Sequence, residues 1–356
     1  MLKFPDGSNT APCAESLARP LTSAPTGRND FTKITPQDDD GNPTTAVSYG
    51  LDSFASYGVI PADWQEDEDI LGVVIGEGIT SIGESAFDGC EDMVGDLVIP
   101  GSVTSIGASA FEDCEELNGT LTLNEGILTI GADAFNDCEE LTGRITIPNS
   151  VTSIGEECFK SCEEVTGLTI GSGLTSIPTN AFYQMESLTS LTIGDSVTSI
   201  GGLAFRECFS LTSITIPDGV TSIGLMAFFR CESLTSITIG NGVTSIGDAA
   251  FDTCNSLTSI TIPDGVTSIG GLAFYYCTSL TSVTIPSTVT DFSYGYQFLE
   301  CTSLTNITCH LTASFFNSTS ALAGSSVTAV TVDSGKGWSA GSQTVAGKTG
   351  VTVTIA

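Results

Sequence analysis

Positive charge is what this chain has least of. Lys and Arg together number 10 against 42 Asp and Glu, a formal net charge of −32. A surface so short of cations cannot neutralise phosphates, which excludes nucleic acid as a partner and disfavours anionic membrane surfaces. Histidine is nearly absent too. His310 is the single one and follows Cys309 directly in a strand-like stretch, where adjacent side chains face opposite ways. A Ser-His-Asp or Cys-His arrangement therefore has no base beside its nucleophile. Cys-x-x-Cys zinc spacing and a Gly-rich phosphate loop after a strand are both missing. Carboxylates abound, but acids stacked along a repeat surface define no cleft. Neither catalysis nor a cofactor is expected. No run of 18 apolar residues occurs, so no membrane-spanning helix is expected. The first residues, MLKFPDGSNTAPCAESLARP, lack the apolar core of a signal peptide. Either a targeting segment was removed before Met1 or the chain begins at its own start codon.

What is present is repetition. LTSITIPDGVTSIGLMAFFRCES, from Leu211 to Ser233, returns as LTSITIGNGVTSIGDAAFDTCNS from Leu234 and LTSITIPDGVTSIGGLAFYYCTS from Leu257. Self-similarity at a period of 20 to 50 residues is the mark of a solenoid. Phe87, Phe111, Phe135, Phe159, Phe182, Phe205, Phe228, Phe251, Phe274 and Phe298 keep the period and predict about ten repeats of 23 to 24 residues. Within one repeat, Ile214 and Ile216 alternate with Ser213 and Thr215, the period of a half-buried strand. Pro217, Asp218 and Gly219 end it, and Val220 to Gly224 form a second short extended piece. Ala227, Phe228 and Cys231 then suit a single helical or 3₁₀ turn that buries Phe and Cys. One repeat cannot bury its own Leu, Ile, Val and Phe. Stacking copies at about 4.8 Å per coil makes one continuous core, about 50 Å long for ten coils.

The pattern L-x-S-I-x-I-P-x-x-V-x-x-I-G-x-x-A-F-x-x-C resembles the BspA-like leucine-rich repeats of bacterial and protist surface proteins, over about Ile70 to His310. The resemblance implies a curved, right-handed leucine-rich repeat solenoid, β-rich, whose first strand lines the concave side. It implies no enzymatic chemistry. Residues 70–310 are read as that domain. Residues 1–69 are read as an N-terminal capping segment, since LDSFASYGVIPADW carries apolar surface to close the first coil. In it Asp38-Asp39-Asp40-Gly41-Asn42 resembles half a calcium loop without the downstream Glu, and an acidic turn is the plainer reading. Beyond His310 the period fails, and residues 311–356 are read as a β-rich C-terminal cap with strands in SSVTAVTV and GVTVTIA, or alternatively as a small attachment module.

Nine cysteines, Cys90, Cys114, Cys138, Cys162, Cys208, Cys231, Cys254, Cys277 and Cys301, hold one slot of the repeat, which Met185 fills in the fifth copy. The slot asks for a soft buried group. Side chains in a parallel ladder rarely reach disulfide geometry, so free thiols are expected. Cys301 with Cys309 is the most plausible bridge if any forms.

Three surfaces qualify for a partner. The first-strand face carries Ser190, Ser213, Ser236, Ser259 and Ser282 beside Thr169, Thr192, Thr215, Thr238, Thr261 and Thr284. Strands favour Thr wherever it points, yet a regular hydroxyl lattice also suits an extended glycan, or ice. The aromatics Tyr183, Phe209, Phe229, Tyr275 and Tyr276, confined to the later half, suit a protein contact. The third surface is acidic: Glu91, Asp92, Glu115, Glu116, Glu139, Glu140, Glu163 and Glu164 follow the cysteines of the first four repeats. A solvated face accounts for them, and Ca²⁺ coordination is the alternative. The expected function is recognition or adhesion of a protein or glycan by a secreted or surface-displayed protein. The alternative is a self-assembling structural subunit of an extracellular or virion lattice. Sequons at Asn118, Asn306 and Asn317 are compatible with a secretory route and decide nothing.

The acids generate a salt prediction. Charges about 4.8 Å apart repel by roughly 1 kcal/mol per pair even in water. Tens of millimolar NaCl should raise the Tm, with Mg²⁺ and Ca²⁺ acting alike at equal ionic strength. A Tm indifferent to salt would break the single-stripe reading, and a response to submillimolar Ca²⁺ alone would make the acids ligands.

Overall fold

The computed structural model describes residues 72–317 and 319–356, and before them the backbone of three short strands, Lys33–Ile34, Val47–Tyr49 and Val59–Ile60. The acidic clusters at 38–40 and 66–69, Cys13, and the apolar residues expected to close the first coil lie outside the described residues.

Alternation sets the first strand of each coil. In Ser213–Ile216 the serine and threonine are exposed and the two isoleucines buried. From Ser213 on, each such strand pairs in parallel with the equivalent one of the next coil: Ser213 opposes Ser236, Ile214 opposes Ile237 and Thr215 opposes Thr238, and shorter runs of the same pairing join the earlier coils. Ser259 then opposes Ser282, and Thr261 opposes Thr284. The second, two-residue strand forms its own parallel column. Ser81–Ile82 pairs with Ser105–Ile106, and Ser199–Ile200 with Ser222–Ile223. Short β-branched segments recur at fixed spacing, so parallel pairing between identical copies puts every apolar residue over its equivalent.

The third side differs from the expectation. No helical or 3₁₀ turn forms there, and Ala313–Phe316 is the one helix among the described residues. Two slots of each coil instead take positive φ, four residues apart, as at Asp133 (55°) and Asp137 (56°), Leu203 (60°) and Glu207 (60°), and Met226 (52°) and Arg230 (59°). A left-handed non-glycine residue costs on the order of 1 kcal/mol. The return is backbone pairing, because these turns aim N–H groups at the next coil. Ser85 donates to the Ala108 carbonyl, Phe87 to Ala110 and Gly89 to Glu112, each at 2.8 Å. On the second-strand side donation runs the other way, Thr104 to the Thr80 carbonyl at 2.8 Å and Gly107 to Ile82 at 2.9 Å.

The ten phenylalanines form one continuous column. Consecutive ring centroids lie 4.9 to 5.8 Å apart and the planes differ by 3 to 11°. All ten are fully buried. Beside them run the cysteines, all eleven described ones free and buried. Their slot has a reason that apolarity alone misses. From Cys114 on, each thiol of the column donates to the phenylalanine carbonyl of the preceding coil, Cys114 to Phe87 at 3.2 Å, Cys254 to Phe228 at 3.4 Å and Cys301 to Phe274 at 3.0 Å. Those carbonyls lie in the core, where a small weak donor fits. The Cys301–Cys309 bridge does not form. Cys309 lies in a first strand opposite Ile285 and Val332, an isoleucine slot, while Cys301 is on the bend side.

The C-terminal reading also needs correction. The strands expected in residues 311–356 exist, as Ala329–Val332 and Lys348–Ile355, but the strand period does not fail. Thr308, Thr331 and Thr354 stay in parallel register, so the first-strand sheet continues to the end of the chain. First strands succeed one another from Val73–Val74 to Lys348–Ile355, about twelve turns rather than ten. Only the Phe-x-x-Cys marker is lost. Leu322, fully buried, takes the phenylalanine slot, since the Phe298 N–H donates to the carbonyl of Ala321 just before it at 3.3 Å; Phe316 packs on Phe292 at 5.8 Å and on Trp338 at 6.3 Å, and the indole Nε1 donates to the Leu311 carbonyl at 2.9 Å. Gly341–Val345 folds back antiparallel along the last strand.

Two measurements check this core. Phe228→Ala should cost about 3–5 kcal/mol in denaturant melts, and Thr215→Ala under about 1 kcal/mol. The reverse ranking would put the wrong face inside. Burial pushes the Cys208 and Cys301 thiols up to about 12, so they should stay unreactive toward a thiol reagent at pH 7 until the protein is unfolded. Rapid labelling of the native protein would contradict that placement.

Candidate interaction surfaces

The first-strand face is as regular as its sequence. Ser213, Ser236, Ser259 and Ser282 are exposed and in register, as are Thr192, Thr215, Thr238 and Thr261, while Ser190, Thr169 and Thr284 are half-buried. Strand spacing sets these hydroxyls about 4.8 Å apart from coil to coil. Two further threonine columns flank them, and the comparison between columns is informative. In the V-T-S column, Thr198, Thr221 and Thr244 donate their hydroxyls to the carbonyls of Thr175, Thr198 and Thr221 at 2.9 to 3.0 Å. In the L-T-S column, Thr189, Thr235 and Thr281 do the same to Thr166, Thr212 and Thr258. Those threonines are tied into the coil stack. The hydroxyls of Thr215, Thr238, Thr261, Ser213, Ser236 and Ser259 bond to no protein group, so their hydrogen bonds are available to solvent or a ligand.

One exception on this face was not foreseen. Arg144 takes the serine slot two coils before Ser190, and its guanidinium donates to Thr169 Oγ1 at 3.2 Å and Ser190 Oγ at 2.8 Å. It crosses Gly167, where a Cβ would come within 2.8 Å of the guanidinium carbon.

The aromatic residues singled out from the sequence lie on the bend side instead. Arg206 is stacked between Tyr183 (5.0 Å) and Phe229 (5.2 Å), and Arg230 lies over Phe209 at 5.1 Å. Glu207, buried, ties both cations, at 3.2 Å to Arg206 and 3.3 Å to Arg230. This cluster is largely satisfied from within. Tyr275 and Tyr276 form a tilted pair 5.9 Å apart. Two tyrosines of SYGYQ were missed: Tyr294 is 87% exposed and Tyr296 46%, both at positive φ. Their departure from the repeat was the available signal.

The acids do share a stripe. Burial and then the neighbouring carboxylates Glu115, Asp137 and Glu140 raise Glu139 above its ordinary range, and burial with Glu186, Glu139 and Glu164 raises Glu163. A second acidic group was not anticipated. Asp113 is raised by burial and then by Glu112, Asp137, Asp88 and Glu115, and Asp133 by burial and then by Glu112 and Glu157. Among the described residues, no three carboxylate, thiol or imidazole groups are arranged to hold a metal ion.

Asp252 is a different case. It occupies the slot held by Phe229 one coil earlier and Tyr275 one coil later, and burial there pushes its carboxyl up to about 6. Its one side-chain hydrogen bond is accepted from Thr253 at 2.7 Å.

Residues 80–211 and 200–328 match the model of a BspA type leucine rich repeat region, in six copies. No curated protein matches the chain. Among solved structures, the pneumococcal vaccine antigen PcpA is 20% identical, covering 85% of this chain and 78% of that one, with a TM-score of 0.52. A leucine rich cell surface protein from Faecalibacterium prausnitzii is 24% identical over 83% of this chain and 98% of its own, with a TM-score of 0.37. A leucine rich repeat protein of T. pallidum is 23% identical over 59% and 77%, with a TM-score of 0.40. The likeness to PcpA bears on the fold.

Asp252 supplies the test for this surface. Its folded-state value lies above that of an unfolded Asp, so the folded state holds the proton more tightly. Its contribution is complete below about pH 4 and is lost as pH rises through about 6. The other raised acids have the same sign. Asp252→Asn should stabilise the protein at pH 7 and flatten part of the loss of Tm between pH 4 and 6. A variant with the parent's pH profile would show that this carboxyl is not desolvated.

Proposed function

The chain belongs to the BspA-type leucine-rich repeat family, and from that premise we propose that it is a non-enzymatic recognition protein that works outside the cell or on its surface. Its first-strand face engages an extended protein or glycan ligand. The observation carrying this reading is the contrast between hydroxyl columns. Threonines of two columns are spent on coil-to-coil bonds, whereas Ser213, Ser236, Ser259, Thr215, Thr238 and Thr261 in the columns between them keep their donors and acceptors unused. A purely structural face has no need of that lattice, and a repetitive ligand can meet it copy by copy.

The lattice-subunit alternative has less in its favour. Subunits stacking end to end would offer the last parallel strand to a neighbour. Here that edge is occupied by Gly341–Val345 of the same chain.

The test combines three face substitutions, Thr215→Tyr, Thr238→Tyr and Thr261→Tyr, and screens the variant beside the parent on arrays of extracellular-matrix proteins and oligosaccharides. Loss of the parent's binding, with the Tm unchanged within a few degrees, is expected. Binding retained by the triple variant but lost on Tyr276→Ala with Tyr294→Ala would move the site to the bend-side tyrosines.

A further inference from the structure

Resting on that reading of the first-strand face, we propose that Arg144 makes it selective for glycans bearing isolated carboxylates, such as uronate or sialate units. The chain has few cations, and the described ones elsewhere are mostly committed. Lys160 meets Glu157 at 3.1 Å, Arg206 and Arg230 share Glu207, and Lys348 contacts the Ser325 carbonyl. Arg144 forms no ion pair with any described residue, in a protein with 42 acids. It is exposed, and the hydroxyls of Thr169 and Ser190 hold two of its N–H donors.

A guanidinium has five such donors in a fixed plane, so three remain for a ligand. Two hydroxyl anchors also remove much of the freedom an exposed arginine must otherwise lose on binding. Gly167 is part of the same arrangement. Later coils carry serine in this slot, and only the missing Cβ lets the side chain lie across the strand. A carboxylate is the group that a planar fork of donors meets best.

The surroundings point to a sugar as the carrier. Thr146, Thr169, Ser190 and Thr192 line the same strands and offer hydroxyls without an aromatic or aliphatic anchor. Protein hot spots are built on such anchors, and Ser and Thr are under-represented in them. The net charge of −32 repels dense polyanions, which favours a ligand whose carboxylates are sparse.

The experiment measures the Kd of the full chain for xylohexaose bearing a single glucuronate branch and unbranched xylohexaose, and for 3′-sialyllactose and lactose. The acid of at least one pair should bind about tenfold or more tightly than its neutral partner, the size of one charge-assisted contact. Arg144→Ala should erase that difference and leave neutral binding and the Tm unchanged. Gly167→Ser should weaken acid binding by displacing the guanidinium, and Arg144→Lys should restore part of it. The pair that shows the preference identifies uronate or sialate as the source. Equal affinity for acid and neutral forms, an unaltered preference in Arg144→Ala, or binding to none of the four probes overturns the proposal. Equal affinity for the acid and neutral forms, with both lost on the three tyrosine substitutions, overturns the carboxylate selectivity alone and leaves the face reading standing.

Discussion

Everything in this molecule hangs on hydrogen bonds from one coil to the next. Two columns of parallel strands and one column of left-handed turns join each coil to its neighbours, and the bend side donates forward while the second-strand side donates back. Once that register holds on all three sides, each residue meets its own equivalent about 4.8 Å away. The phenylalanine stack, the cysteine column and the threonine ladders are consequences of this rule. Like meets like, which suits apolar rings and hydroxyls that bond in chains and penalises charge.

That penalty is visible in the acidic half. Glu139 and Glu163 follow Glu115 in the same ladder that orders the core, and burial together with the neighbouring carboxylates raises the carboxyls of Glu139 and Glu163. The strand face avoids the problem by carrying neutral hydroxyls, so its regularity costs no electrostatic energy. The bend side of the later coils solves it differently, interleaving Arg206 and Arg230 with aromatic rings and with Glu207. Here unlike residues occupy successive coils, as the later half of the sequence departs from strict repetition.

The cysteines show how a column can be read correctly for an incomplete reason. Soft and buried was right, and Met185 in the slot supported it. The donation from the column thiols, Cys114 onward, to a buried carbonyl one coil earlier depends on how far the bend side folds over. No spacing rule reports that. The expected helical turn failed for a related reason. One-and-three apolar spacing fits a helical turn and a left-handed corner equally well, and only the neighbouring coil, by accepting the N–H groups, decides between them.

The sequence by itself determined the solenoid, its period, the inward and outward faces of the first strand and the burial of Phe and Cys. Periodicity and apolarity are local properties, and stacking identical units adds no new geometry. Tertiary structure alone decided which hydroxyls are spent and which are free, because Thr221 and Thr215 differ only in whether a carbonyl of the preceding coil lies within reach. It likewise decided that residues 311–356 prolong the sheet after the Phe-x-x-Cys marker is gone, since strand pairing needs only alternation and length. Arg144 is the clearest case. In the sequence it is one cation in a strand, and what it does there rests on a glycine 23 residues away and a serine 46 residues away.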